Sequence, residues 1–325
     1  MSRILVTGAA GFVGAAVCAR LLDRGDDVTG FDNFNAYYDV ALKDARVARL
    51  NGRDGFRMVR GDLADAGHVR SLVAEIKADA VVHLGAQAGV RHSIDQPFDY
   101  ERSNLAGHLS VLEACRHEDV RHLVYASSSS VYGERPEGGE AFSETDAAAR
   151  PVSLYAATKR ANELMSHAYG SLYGFPQTGL RFFTVYGPWG RPDMAYFSFT
   201  RKILAGEPIE VFGQGQMARD FTYIDDIVDG VIGALDNPPP RGENRILNIG
   251  AGHPVALMDM IAFLEGALGR EATKIFRSMQ PGDVTRTYAD ISALVALTGY
   301  APKVMLKEGL ERFVVWYREY FGQAR

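Results

Sequence analysis

The chain has 325 residues, 47% of them hydrophobic, and a formal net charge of −5 at pH 7. That length suits one large domain or two modest ones, each with a sizeable core. The acidic balance and the lack of a polybasic run argue against nucleic-acid binding, and no stretch reaches the roughly 18 apolar residues of a membrane helix.

The chain enters a strand at 4–6, so no signal peptide is expected. A helix follows at 15–24, stopped by Gly25, then strands at 27–31, 56–59, 80–84, 121–126 and 178–183. Segments of helical pattern separate these short apolar runs, which predicts parallel βαβ units and a doubly wound sheet. The runs do not alternate with polar residues, as expected of strands buried on both faces. After about residue 184 the rhythm breaks at Pro188, Pro192 and Pro208. One strand, 246–249, is expected to return to the sheet, and 253–320 to hold two or three helices. The reading is therefore a nucleotide-binding domain over 1–184, with return elements near 224–250, and a smaller, partly interleaved α/β domain over 185–325.

Cys18 and Cys115 are the two cysteines, each in a helical pattern among apolar neighbours. Two lone core thiols point to a reduced, cytoplasmic compartment rather than a disulfide framework. The eight histidines are scattered without metal-ligand spacing, so no metal site is expected.

Thr7-Gly8-Ala-Ala-Gly11-Phe-Val-Gly14 follows the first strand and opens a helix. Glycines there let the backbone turn sharply and approach a pyrophosphate seated at the helix N-terminus. A glycine loop alone is a weak signal, but Asp32 closes the second strand, where a carboxylate can accept from the adenosine ribose hydroxyls. That carboxylate would repel a 2′-phosphate, so NAD is expected over NADP. Asp62, after the third strand, is placed to meet the adenine amino group. Either aspartate could also serve as a cap or turn residue.

Tyr155 and Lys159 stand at i and i+4, one helix face, downstream of a serine run from Ser127 to Ser130. A Tyr-x-x-x-Lys on an ordinary helix means little. After the serine-rich end of the fifth strand of such a sheet, it describes a phenol that moves a proton and an ammonium that makes it acidic. Lys159 and a positive nicotinamide are both expected to lower the tyrosine pKa from its usual value near 10.

With these residues in view, the chain resembles the extended short-chain dehydrogenase/reductases of the nucleotide-sugar epimerase/dehydratase family. The likeness covers essentially all of it: the glycine loop, Gly61-Asp62-Leu63, His83-Leu-Gly-Ala86-Gln87, Tyr155-x-x-x-Lys159 and Arg219-Asp220-Phe-x-x-Ile-Asp225-Asp226. Three blocks resemble the UDP-glucuronate 4-epimerase branch: Asp32-Asn-Phe-Asn-Ala-Tyr-Tyr-Asp39, Gln87-Ala-Gly-Val-Arg91 and Tyr186-Gly-Pro-Trp-Gly-Arg191-Pro-Asp-Met-Ala195.

The resemblance implies a Rossmann-type fold, bound NAD, a UDP-sugar substrate and a homodimer through 100–117 and 153–173. It implies Tyr155, Lys159 and Ser128 as catalytic residues. Besides the glycines and Asp32, it implies cofactor contacts from Phe12, Val13, Asn33, Asp62 and Leu63. Leu84, Ala86, Gln87, Asn104, Tyr155 and Lys159 join them, and Phe182 and Val185 would line the nicotinamide. For the UDP-sugar it implies Gly89, Val90, Arg91, Ser128, Ser129, Ser130, Thr184, Arg219 and Asp283. Gly85 departs from the expected alanine and should leave room at the cofactor.

The implied cycle removes the 4-hydroxyl proton with Tyr155, passes hydride from C4 to NAD, turns the 4-keto sugar over and returns the hydride to its other face. Related dehydratases and UDP-glucuronate decarboxylases typically carry an acid after the catalytic hydroxyl, where this chain has Ser129-Ser130. Oxidised glucuronate is a β-keto acid that loses carbon dioxide when its C5–C6 bond aligns with the carbonyl π system. Arg191 is the expected clamp against that alignment, because a guanidinium can grip a carboxylate bidentately; a purely structural arginine is the competing reading. UDP-glucose/UDP-galactose 4-epimerase, UDP-glucuronate decarboxylase and a non-catalytic NAD(H) sensor remain the alternative functions.

Overall fold

A computed structural model of the chain describes residues 1–134, 140–280 and 284–322; Asp283 lies outside the described residues. The first half runs β1 (Arg3–Thr7), α1 (Phe12–Asp23), β2 (Asp27–Asp32), α2 (Val40–Ala48), β3 (Phe56–Arg60), α3 (Ala66–Ile76) and β4 (Ala80–His83). Short turns α4 (His92–Asp95) and α5 (Pro97–Tyr100) lead through a π-helical segment, Glu101–Ala106, into α6 (Gly107–His117). Then come β5 (His122–Ser128), α7 (Leu154–Tyr173) and β6 (Gln177–Phe182). The remainder holds β7 (Thr184–Tyr186), α8 (Ala195–Ala205), β8 (Ile209–Val211), β9 (Ala218–Tyr223), α9 (Ile224–Asp236) and β10 (Asn244–Ile249). It closes with β11 (Pro254–Ala256), α10 (Leu257–Leu268), β12 (Lys274–Phe276), β13 (Arg286–Thr287), α11 (Ser292–Thr298) and α12 (Leu306–Phe321).

Seven strands form one sheet in the order β10-β6-β5-β4-β1-β2-β3, every neighbouring pair parallel. This is the expected doubly wound, Rossmann-type sheet, and it includes the late strand at 244–249. The strand order reverses between β1 and β4, and ligands of such sheets bind at that crevice, beyond the carboxyl ends of the strands. Successive side chains go to opposite faces: Ile4 and Val6 pack with α1, whereas Leu5 packs with α3 and α6. The apolar cluster on the α1 face also takes in Tyr186, Phe197, Met260 and Phe313, so one core joins the sheet to the later elements. Those elements carry a second sheet, β11-β9-β13 with β7 on β9, and a small pair, β12-β8.

Two local differences from the sequence reading have simple causes. Helix α1 begins at Phe12 rather than Ala15, so Gly14 lies inside it. A Cβ on Gly14 would sit 2.1 Å from the Gly8 carbonyl oxygen, so the helix can start this close to β1 only without a side chain there. The π-helical turn at Glu101–Ala106 went unforeseen because no residue type marks a widened turn. Cys18 and Cys115 are free and buried in α1 and α6. Among the described residues, no helix is long and apolar enough to cross a membrane, and no group of three or more His, Cys, Asp or Glu could hold a metal ion.

Candidate active site

The glycine loop closes over the crevice at the carboxyl end of β1. Gly8 has φ +70°, a conformation that favours glycine, and a Cβ on it would lie 2.7 Å from the Gly85 nitrogen. Gly85 is therefore a packing glycine: its own Cβ would come within 2.7 Å of Leu63 Cδ1. The Thr7 hydroxyl accepts from the Gly85 N–H (3.1 Å) and lies 2.7 Å from His83 Nδ1, tying β1 to β4 across the crevice. Burial, and then the charge of Lys159, push His83 down to about 3, so the ring is neutral.

No side chain caps the first turn of α1 behind Gly11, which leaves its N–H groups facing the loop mouth with Phe12 and Val13 just inside the helix. Asp32 is buried at the end of β2 and accepts from Ala10 N–H (3.2 Å) and Phe34 N–H (2.7 Å). Asn33 follows it, its Oδ1 accepting from Asn35 N–H (3.0 Å). A cradle of bare backbone, a helix N-terminus and a carboxylate at the next strand end suits a dinucleotide. Asp62 accepts from Ala64 N–H and pairs with Arg102 at 2.9 Å. Asn104 directs both ends of its amide at protein groups: Oδ1 accepts from Gln87 N–H (2.8 Å), and Nδ2 donates to Gln87 O and Thr158 Oγ1 (both 3.0 Å). Asn104 thus sets the path of the Leu84–Ala86–Gln87 strand exit against α7. The Gln87 side chain in turn accepts from Asn35 Nδ2 at 3.0 Å.

Helix α7 carries the chemical pair. Ser153 caps it, accepting from Ala156 N–H at 3.1 Å, which places Tyr155 in the first turn and Lys159 one turn on. Lys159 is 4% exposed and donates to Ala126 O of β5 (2.9 Å), two residues before Ser128. Ser128 ends β5 opposite Phe182 of β6 and accepts from Ser130 N–H at 3.2 Å, and its hydroxyl acts to lower the pKa of the Tyr155 phenol. Ser129 and Ser130 form the 3-10 turn that follows. Burial pushes Lys159 down to about 8. Burial raises Tyr155, while Ser128 and the positive charge of Arg191 act against it. The expected lowering of this phenol by Lys159 is thus not met by the protein's own groups, because desolvation outweighs them. Behind the site, Glu163 of α7 grips Arg181 of β6 through two 2.9 Å bonds and accepts from Ser127 Oγ at 2.6 Å, locking the helix to the strand ends.

Arg191 arrives on the loop between β7 and α8. Its charge reaches both Tyr155 and Tyr100, and its Nη2 pairs with Asp193 Oδ2 at 2.9 Å. Burial works to lower its pKa, but Asp193 and the phenols of Tyr37, Tyr155 and Tyr38 hold it above the ordinary arginine value. Thr184 and Val185 open β7, paired with Phe221 and Thr222 of β9. Arg219 of β9 donates to Ala218 O (2.9 Å) and Thr285 O (3.1 Å). Arg91 lies over the Phe212 ring, 5.3 Å from its centroid. Gly89, before Val90, has φ +103°, and a Cβ there would strike the Tyr37 hydroxyl at 2.5 Å. The structure thus gathers Tyr155, Ser128, Lys159 and Arg191 at one end of the crevice, with Arg91 and Arg219 out among the later elements. Tyr37, Asp193, Arg46 and Lys43 were not singled out by sequence. Lys43 donates to Asn35 O (2.9 Å) and Oδ1 (2.7 Å), and contacts of that kind leave no mark in spacing.

A glycine loop at the switch point of a parallel sheet, facing a Tyr–Lys helix, defines a short-chain dehydrogenase/reductase. The chain belongs to the NAD dependent epimerase/dehydratase family, whose model matches residues 4–250. It is 44% identical to the probable UDP-glucuronate 4-epimerase of Rhizobium meliloti, across 99% of this chain and 98% of that one. It is 48% identical to UDP-glucuronate 4-epimerase 3 of Arabidopsis thaliana, across 99% of this chain and 78% of the relative. Among solved structures, the UDP-glucuronic acid 4-epimerase from Bacillus cereus in complex with UDP-glucuronic acid and NAD superposes with a TM-score of 0.92. That match has 36% identity and covers 98% of this chain and 99% of the other.

Proposed function

We propose that this protein interconverts UDP-glucuronate and UDP-galacturonate by NAD-dependent 4-epimerisation through a transient 4-keto sugar, without decarboxylation. The observation that carries the reading is Arg191, a guanidinium whose charge acts on the Tyr155 phenol at the sugar end of a dinucleotide crevice. Bound NAD supplies a hydride acceptor that becomes the donor on the return, so no net redox change results.

The chain's own residues do the rest. Gly8, Gly11 and Gly14 bring backbone to the pyrophosphate, and Asp32 holds the ribose and disfavours a 2′-phosphate. Tyr155 takes the proton from the sugar 4-hydroxyl and later returns it, with Ser128 sharing that proton. Lys159, held by Ala126 O, keeps an ammonium beneath the tyrosine. Arg219 and Arg91 take the diphosphate side, and Thr184 and Gly89 line the sugar. The pivot of the 4-keto sugar about its link to UDP presents either face at C4. Arg191, with Ser129 and Ser130, holds the carboxylate.

We assign 1–184, with the return at 224–250, to the cofactor, and 185–325 to the sugar nucleotide. A homodimer through α6 and α7 accounts for Leu109, Leu164, Leu172 and Tyr173, large apolar side chains left exposed on those helices. With no membrane-crossing helix among the described residues and two free thiols, a cytoplasmic setting fits. Arg191→Ala is the direct test: it should lower turnover of UDP-glucuronate and release a UDP-pentose. An unchanged uronate KM with no pentose would remove the clamp and favour a neutral UDP-hexose as substrate.

A further inference from the structure

The clamp arginine is itself held. Asp193 Oδ2 accepts from Arg191 Nη2 at 2.9 Å, and the same oxygen accepts from the Tyr37 hydroxyl at 3.1 Å. Tyr37 comes from the loop after β2, on the cofactor side, whereas Asp193 comes from the loop after β7. The Tyr37 ring stands 4.7 Å from His92, which lies 6.0 Å from Tyr100, itself 6.1 Å from Tyr155. Burial and the Asp193 charge push Tyr37 up to about 12, so its hydroxyl stays a donor.

The backbone beneath Arg191 is fixed as well. Arg46 of α2 is 1% exposed and donates to Trp189 O (2.6 and 2.9 Å), Gly190 O (3.0 Å) and Ala10 O of the glycine loop (3.2 Å). Trp189 has φ +65°, and a Cβ on Gly190 would overlap the Tyr196 hydroxyl. With the backbone fixed, the guanidinium plane of Arg191 is held by Asp193 Oδ2, which Tyr37 braces, and by a 3.5 Å contact from the same Nη2 to Met194 Sδ. A guanidinium has five donors in one plane, so pairing with Asp193 leaves others for a second carboxylate.

We propose that Asp193, braced by Tyr37, is the positioning residue for Arg191, fixing the guanidinium plane and thereby the partition between epimer and decarboxylated product. The inference rests on reading Arg191 as the uronate clamp. The side reaction it suppresses balances simply. The C5–C6 bonding pair moves into the C4–C5 bond as the carbonyl becomes an enolate, carbon dioxide departs, a solvent proton adds at C5, and C4 takes back the hydride removed from it to give the UDP-pentose. That path needs C5–C6 parallel to the carbonyl π orbital, so a swivelling guanidinium opens it.

The test compares Asp193→Asn, Asp193→Glu, Tyr37→Phe and Arg191→Ala, each incubated with UDP-glucuronate and resolved by proton NMR. NAD content and the inhibition constant of UDP are measured alongside. Asp193→Asn should raise the pentose fraction about tenfold above wild type, in line with the cost of small misplacements at reacting centres. Tyr37→Phe should raise it by a smaller factor and Asp193→Glu should restore part of the loss, all with UDP inhibition within about twofold of wild type. Tyr37→Phe removes one oxygen, so it decides the matter if Asp193→Asn fails to fold. A wild-type pentose fraction in the Asp193 and Tyr37 variants, with Arg191→Ala raising it, overturns the positioning role alone. A wild-type fraction in Arg191→Ala too overturns the clamp reading with it. Parallel loss of UDP affinity and uronate turnover, with no pentose, reduces Asp193 to a structural residue and also overturns the proposal.

Discussion

The glycine loop and the sugar end of the crevice are held by different kinds of atoms. At the loop, backbone meets backbone: Gly8 lies against Gly85, and Gly14 against the Gly8 carbonyl, at separations no side chain could share. At the sugar end the surfaces are side chains brought from distant segments, with Ser128 from β5, Tyr155 from α7, Arg191 and Asp193 from the loop after β7, and Tyr37 from the loop after β2. A backbone cradle is a rigid seat whose tolerance for change is small. A constellation of side chains can be altered one group at a time, so the identity of the product can change while the cofactor seat stays the same.

Substitutions at the two ends should therefore fail in opposite ways. Tyr155→Phe should lower kcat about 1,000-fold, the range expected for a lost acid–base group, with NAD content unchanged; a variant keeping a tenth of wild-type kcat would break the assignment. Gly14→Ala should do the reverse. Its Cβ would enter 2.1 Å from Gly8 O, and relieving that clash should cost about 3 kcal/mol of stability, together with most of the bound NAD. Calorimetry and cofactor content check this, and near-normal values for both would mean the loop is softer than described. Ser128→Ala should lower kcat about tenfold and leave NAD in place, since its hydroxyl assists the phenol rather than replacing it; loss of NAD instead would move Ser128 to the cofactor side of the comparison.

A further effect, on stability rather than rate, belongs to the sheet beneath the crevice. Burial holds His83 near 3 and His122 near 4, and lowers His108 as well. Below the unfolded histidine pKa of about 6.5 the unfolded chain binds protons that the folded chain does not, so stability falls as pH drops from there towards 4. Each histidine contributes a slope of at most about 1.4 kcal/mol per pH unit. A melting temperature that stays level between pH 6.5 and 4.5 would contradict the neutral, buried rings.

The difference between the two ends also governs how much could be read from sequence. The cradle is built by neighbours in sequence: a strand, three glycines and a helix start, then a carboxylate one strand on. Apolar runs without alternation likewise announced a sheet buried on both faces, and the strand at 244–249 was recognisable as its late member. Tyr155 and Lys159 were legible because a helix puts i and i+4 on one face. Tyr37 and Asp193 were not, although both lie inside blocks the sequence reading quoted, because they meet across 156 residues. Arg46 reaches Trp189 across 143 residues, a contact that no sequence spacing marks. The burial that raises Tyr155 was not legible either, because it emerges only on folding.

The central claim is that this crevice returns the ketone of a uronate as its C4 epimer. The most direct measurement is incubation of the NAD-loaded protein with UDP-glucuronate alone, with the anomeric signals followed by proton NMR. The account predicts growth of UDP-galacturonate to a constant ratio, with pentose at no more than a trace and no added nicotinamide required. A UDP-pentose as the main product, or UDP-glucuronate left unchanged while UDP-glucose is converted to UDP-galactose, would contradict it.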